Sequence, residues 1–184
     1  MLQLKTNKPL IDIEFILKKV GIQENDKVAE LGCGSFGYFV YPLARLVGKN
    51  GRVYAVDILK SSLEGIKRKA IQENLRQIET IWSNLEIFKA TKIEGAVLDV
   101  VFLINILNQS DKKAEIIREA VRLLKRNAKL VIIEWKSGQL PFGPTPEKRL
   151  KIDSIKSASL QLGLTLSEEF TAGEYHYGLI FKKI

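Results

Sequence analysis

A glycine-rich turn set between a strand and a helix constrains this chain more than any other feature. Lys27-Val28-Ala29-Glu30-Leu31 reads as a strand, Gly32-Cys33-Gly34-Ser35-Phe36-Gly37 follows it, and a helix is expected from about Tyr38 to Val47. Glycine admits the angles of a tight turn and lets a ligand approach the main chain closely. A strand that runs straight into a helix must return to the sheet by a crossover, so the turn commits the chain to parallel strands.

The rest of the chain keeps that rhythm. Pro9 opens an amphipathic stretch, Leu10 to Val20, with apolar residues at 10, 13, 16, 17 and 20, and Gly21 stops it. Arg52 to Asp57 is a second strand. A helix from Ser61 or Ser62 to Asn74 follows, with serine as its N-cap, and Ile78 to Trp82 is a short third strand. Leu98 to Ile104 is almost continuously apolar, as in a strand buried on both faces. Asp111 is expected to cap a helix to Arg126, and Lys129 to Glu134 is a fifth strand. The Pro/Gly-rich Ser137 to Pro146 leads to a helix through Leu162. Leu164 to Phe170 and His176 to Lys182 have no helix between them and should pair antiparallel. The expected fold is α/β: a three-layer sandwich whose seven-stranded sheet is mostly parallel, with an antiparallel C-terminal hairpin. No linker interrupts it, so residues 1–184 read as one domain.

Composition bounds the function. With 46% hydrophobic and 27% charged residues, the chain is neither disordered nor membrane-embedded. No apolar run approaches the roughly 18 residues of a bilayer span, and Met1 to Pro9 holds no signal-peptide core, so the expected location is the cytoplasm. One Cys and one His can form neither an internal disulfide nor a Cys/His zinc site, so no metal is expected. The net charge of +8 suits an anionic partner such as nucleic acid. Its lysines and arginines nevertheless sit largely near expected helix ends, where the dipole alone favours them.

The glycine turn by itself suits several ligands, or none. Asp57, 20 residues beyond Gly37 at the end of the second strand, is placed to accept hydrogen bonds from a ribose diol. Glu30 discriminates further. A carboxylate two residues before Gly32 repels the pyrophosphate of NAD, but attracts the ammonium and sulfonium of S-adenosylmethionine.

On these residues the chain resembles the class I S-adenosylmethionine-dependent methyltransferases, over nearly its whole length and including the terminal hairpin. Glu30 to Gly37 is similar to the family's first motif and Asp57 to its ribose-binding acid. The resemblance implies S-adenosyl-L-methionine as cofactor, held by Glu30, Gly32, Cys33, Gly34 and Asp57. It further places Ile58 beside the adenine, Ser83 and Asn84 against the adenine ring, and Asn105 near the transferred methyl. The small-molecule, quinone-biosynthesis-like branch is the nearest in flavour, with Gly143-Pro144-Thr145-Pro146 standing where members often carry a Gly-Pro-Pro-like segment.

The departures matter as much. That branch often has Asn followed shortly by one or two His after the fourth strand; here the segment is Asn105-Ile106-Leu107-Asn108-Gln109. The signatures of adenine-amine and cytosine-C5 methylation are absent, and a solitary Cys33 argues against thiol-assisted arsenic methylation. No catalytic residue is assigned. Glu134 is the best-placed carboxylate, as a base or as a solvated strand-end acid, and His176 reads as structural or solvated. Cys33 reads as a small turn residue, and Trp82 and Trp135 as core or pocket wall. The acceptor site is expected to draw on Met1 to Pro9 and on Trp135 to Gly143 as a lid, although both can equally be plain loops. A small-molecule acceptor leads, bound by a monomer or homodimer. RNA or protein methylation, an NAD(P)-binding oxidoreductase and a non-catalytic binding module are the alternatives.

Overall fold

The computed structural model describes residues 9–138 and 140–184. Its elements, in chain order, begin with α1 (Ile13–Val20), β1 (Lys27–Leu31), α2 (Val40–Val47), β2 (Arg52–Asp57), α3 (Lys60–Gln72) and β3 (Ile78–Trp82). They continue with β4 (Leu98–Ile104), α4 (Lys113–Leu123), β5 (Leu124–Trp135), α5 (Ile152–Gln161), β6 (Leu164–Thr171) and β7 (His176–Lys183). A 3-10 turn, Leu107–Gln109, follows β4, and a second, Pro146–Lys148, precedes α5.

The strands form one seven-stranded sheet in the order β3-β2-β1-β4-β5-β7-β6. Strands β3 to β5 run parallel, while β7 pairs antiparallel with both β5 and β6. Period-two alternation explains how an all-apolar strand serves two cores. Val101 and Leu103 of β4, with Leu130 and Ile132 of β5, pack toward Ile116 of α4 and Ile155 of α5. Val100 and Phe102, with Val131 and Ile133, pack toward Ile16 of α1, Leu43 of α2 and Ile66 of α3. Strand order reverses between β1 and β4, and in such sheets ligands bind at the carboxyl ends of the strands beside that point.

The expected architecture holds, with shifted boundaries. Helix α1 starts at Ile13, not Leu10, because Asp12 is the cap: its Oδ1 accepts the Phe15 N–H at 3.0 Å. Neither Ser61 nor Ser62 caps α3. The cap position is Leu59, whose N–H is taken by Asp57 Oδ1 at 2.8 Å, while Ser62 is buried against Ser35. Asp111 does not cap α4; the preceding Ser110 accepts the Lys112 N–H at 2.9 Å, and the helix begins at Lys113. That helix ends at Leu123 because Leu124 already pairs with Leu98. The register then slips until Lys129 meets Val100, and β5 is correspondingly longer than Lys129 to Glu134.

Candidate functional site

The glycine loop is folded back onto β2. The N–H groups of Gly32 and Cys33 both donate to the Val56 carbonyl, at 2.8 and 3.0 Å. Gly32 has φ +80°, and a Cβ there would lie 2.7 Å from the Ile106 side chain, so the position admits no other residue. Gly34 donates its N–H to Asp57 Oδ2 at 2.8 Å. Asp57 therefore binds the loop with one oxygen and the start of α3 with the other.

Glu30 lies in β1 between Ala55 of β2 and Phe102 of β4, and is only 3% exposed. Burial raises its pKa to about 8, with the neighbouring Asp57 adding to the rise. The N–H groups of Phe39 and Val40, at the start of α2, oppose the shift without cancelling it. Its Oε2 is buried and has no hydrogen-bond partner among the described residues.

At the end of β4, Asn105 takes φ +52°. Its N–H donates to the Ile133 carbonyl at 2.9 Å, and its own carbonyl accepts Asn108 Nδ2 at 3.1 Å and Gln109 Nε2 at 2.6 Å. Asn105 Oδ1, like Glu30 Oε2, is buried without a partner among the described residues. Glu134 holds this corner in place. One carboxylate oxygen accepts the N–H groups of Leu107 and Asn108, at 2.9 and 3.2 Å, and the other accepts Asn108 Nδ2 at 2.8 Å. It is 1% exposed, so Glu134 is neither a solvated strand-end acid nor a carboxylate open to an acceptor. It caps the 3-10 turn.

These residues enclose two adjoining cavities. A space of about 480 Å³ is lined by Glu30, Gly32, Cys33, Gly34 and Asn105. A smaller one of about 190 Å³ is lined by Asp57, Ile58, Ser83 and Asn84. Gly32 and Gln109 belong to both. All nine residues singled out from the sequence thus border one continuous site. Their side chains do not contribute alike. Ser83 is fully buried with its hydroxyl on Thr91 at 3.0 Å, and Asn84 Oδ1 accepts the Glu86 N–H at 3.0 Å. Burial, aided by Glu30 and Asp57, drives the Cys33 thiol well above its usual range, so it stays protonated.

Sequence reasoning missed two parts of the wall. Leu10, Ile11 and Ile13 line the larger cavity, where the helical periodicity had assigned Leu10 to a helix face. Gln109 lines both cavities and also a polar groove of about 630 Å³ bounded on its far side by Gly143 to Leu150; an exposed glutamine carries no signal in a lone sequence. Of the expected acceptor segments, Met1 to Lys8 lie outside the described residues. The segment after β5 is pinned: buried Arg149 donates to the carbonyls of Pro144, Gly138 and Phe142. His176 is fully buried and structural, its ring 4.1 Å from that of Trp135. Trp82 is half exposed and donates to the Ile58 carbonyl at 2.8 Å. Among the described residues no group of three or more His, Cys, Asp or Glu could hold a metal ion, and no helix is long and apolar enough to cross a membrane.

Residues 22–173 match the family described as "Methyltransferase domain". The chain is 32% identical over 132 residues to a 2-phytyl-1,4-naphtoquinone methyltransferase of Trichormus variabilis, covering 66% of this chain and 52% of the relative. It is 27% identical over 127 residues to a ubiquinone/menaquinone biosynthesis C-methyltransferase of Francisella philomiragia, covering 68% and 49%. The chain thus spans about half the length of the curated relatives it matches. In fold it is similar to a crystal structure of a SAM-dependent methyltransferase from Aquifex aeolicus, with TM-score 0.86, 24% identity, and 95% and 91% of the two chains covered. With the family match running over most of the sequence and the fold shared with a SAM-dependent methyltransferase, the chain belongs to the methyltransferase-domain family.

Proposed function

We propose that this chain transfers the methyl group of S-adenosylmethionine to a small-molecule acceptor, with the donor lying across the two cavities that meet at Gly32. The observation that carries this reading is the pair of buried, unpartnered oxygens, Glu30 Oε2 and Asn105 Oδ1, bordering the same cavity beside the glycine loop. Leaving a buried acceptor unpaired costs roughly 1–3 kcal/mol, and more for a charged group. A ligand ammonium supplies three N–H donors, whereas a dinucleotide pyrophosphate brings only acceptors and negative charge.

The residues present fit the donor. Glu30 receives the ammonium, whose charge favours the ionised carboxylate that burial otherwise disfavours. Each Asp57 oxygen already accepts one N–H and keeps lone-pair directions for a ribose diol. Ile58 and Asn84 border the adenine end, and Ser83 holds the end of β3 through Thr91. The donor, when bound, supplies an already activated methyl on its sulfonium. What this chain adds is position, which in well-oriented cases is worth roughly 7–11 kcal/mol. Glu134 fixes the Asn105 to Gln109 corner, so its role is to hold the site in shape rather than to take a proton.

Two features support a small acceptor with an apolar face. The outer wall of the larger cavity is apolar, built from Leu10, Ile11, Ile13, Phe36 and Tyr38, and two curated relatives are named for a naphtoquinone and for ubiquinone/menaquinone biosynthesis. Calorimetry with S-adenosylmethionine, S-adenosylhomocysteine and NAD tests the donor. Saturable binding of the first two and none of the third is expected; binding of NAD alone overturns the reading.

A further inference from the structure

The apolar wall over Glu30 and Asn105 does not stand by itself. Residues Pro9 to Asp12, bent at Leu10 and Ile11, run beside the site as a strap before α1 begins, and what holds the strap is the turn of the β6–β7 hairpin, at the other end of the chain. The Asp12 N–H donates to the Ala172 carbonyl at 2.8 Å, and the Glu174 N–H donates to the Pro9 carbonyl at 3.4 Å. Gly173 lies directly against the strap: a Cβ there would be 2.3 Å from the Leu10 carbonyl oxygen and 3.0 Å from Ile11 Cα. Between these backbone contacts, His176 Nδ1 lies 3.0 Å from the Leu10 carbonyl oxygen. A carbonyl only accepts, so Nδ1 carries the proton; burial disfavours a second one, which leaves the ring neutral and Nε2 without a partner among the described residues.

His176 is fully buried and unreachable by a ligand in the cavity, of which it is not a lining residue. Its ring is fixed against Trp135, and the following backbone is tied down where Lys136 donates through its N–H to the Tyr175 carbonyl at 2.8 Å. Lys136 Nζ also reaches the carbonyls of Gly173 and Glu174, at 3.1 and 2.7 Å. The hairpin turn is thus rigidly mounted on β5, the strand whose end carries Glu134. Among the described residues, the hydrogen bonds that tie the strap's backbone to the rest of the sheet are those the hairpin provides.

We propose that His176 is a positioning residue: through its Nδ1–H on the Leu10 carbonyl it holds the Pro9 to Asp12 strap as the wall of the donor cavity, so that the C-terminal hairpin sets how tightly that cavity closes. The consequence for ligand affinity rests on the donor reading above; the clamp itself does not.

The two parts are separated by two measurements on the full chain. Amide hydrogen exchange at Asp12 reports the strap directly. His176→Leu removes the donor while keeping bulk, and is expected to speed Asp12 exchange at least tenfold with the β4 amides of Val101 and Leu103 unchanged. His176→Asn presents a side-chain N–H close to the Nδ1 position and is expected to restore slow exchange. Gly173→Ala, which places a methyl against the Leu10 backbone, is expected to speed exchange through an independent contact. Titration with S-adenosylhomocysteine then reads the consequence: Kd at least tenfold higher for His176→Leu and within threefold of the parent for His176→Asn. Unchanged Asp12 exchange in His176→Leu overturns the clamp. Equal weakening by Leu and Asn also overturns it, because ring packing on Trp135 would then be the cause. Should His176→Leu fail to fold, the Gly173→Ala and His176→Asn exchange rates decide alone. Failure of the parent chain to bind S-adenosylhomocysteine refutes the donor reading and leaves the exchange result to stand on its own.

Discussion

Replacing Glu30 by glutamine is expected to stabilise the ligand-free protein and weaken donor binding at the same time. Burial lifts the Glu30 carboxyl from its ordinary 4.5 to about 8, so near pH 7 the folded chain holds a proton there that the unfolded chain has released. An acid with a raised folded pKa contributes its full share of stability below about pH 4.5, loses it as pH rises toward 8, and is level beyond. The loss already accumulated at pH 7 is about 3 kcal/mol. Glutamine has the same shape and no charge to desolvate, so Glu30→Gln escapes this slope. Urea denaturation of both proteins should show the variant's advantage growing by about 2–3 kcal/mol between pH 5 and pH 7, and by about 1 more up to pH 9. Calorimetry with S-adenosylhomocysteine should show the opposite preference, with the variant binding about 10–100-fold more weakly, as for the loss of a charged hydrogen bond. A stability difference that does not change with pH refutes the electrostatic reasoning, and unchanged affinity refutes the assignment of the ammonium to Glu30.

Other substitutions probe other links. Asp57→Ala removes the acceptor of the Gly34 and Leu59 N–H groups as well as the ribose partner, and should weaken S-adenosylhomocysteine binding by about 1–3 kcal/mol in a titration. Glu119 is fully buried, accepts Arg122 Nη2 at 2.8 Å and takes the N–H groups of Lys89 and Thr91 at 2.8 and 3.1 Å. Glu119→Ala strands those donors and a half-buried guanidinium, and should lower the urea unfolding free energy by about 2–4 kcal/mol. Burial lowers the His176 pKa from 6.5 to about 4, so the folded state resists a proton that the unfolded state accepts. Its contribution is whole above about pH 6.5 and is lost as pH falls toward 4, by about 3 kcal/mol. The stability of His176→Asn relative to the parent should therefore rise over that interval in acid denaturation.

The parts of the site that were legible in the sequence are those where geometry dictates residue type. Gly32 and Gly34 announce a loop because both take left-handed backbone angles that side chains rarely adopt, and Gly32 also lies against Ile106. Asp57 and Glu30 were legible because strand ends at the carboxyl edge of a parallel sheet project to one place. The apolar run of β4 and the helix-free step from β6 to β7 gave the sheet its arrangement. What stayed hidden depends on partners distant in sequence. Leu10 continues the helical period of α1, yet Asp12 starts the helix and the hairpin at residues 172–176 captures the residues before it. Glu134 and Glu119 look like ordinary surface acids until the backbone N–H groups that surround them are known. Helix starts were displaced to Lys60 and Lys113, where Asp57 and Ser110 accept the Leu59 and Lys112 N–H groups just ahead of each helix.

The central claim is that a cationic methyl donor meets the buried Glu30 carboxyl. Titration of S-adenosylmethionine near pH 7 in two buffers of different ionisation enthalpy measures the protons exchanged on binding. With the Glu30 pKa at about 8 in the free protein, the account predicts release of about one proton per donor bound, vanishing in Glu30→Gln. Binding that releases no proton, or a protein that binds NAD and not the methyl donor, would contradict it.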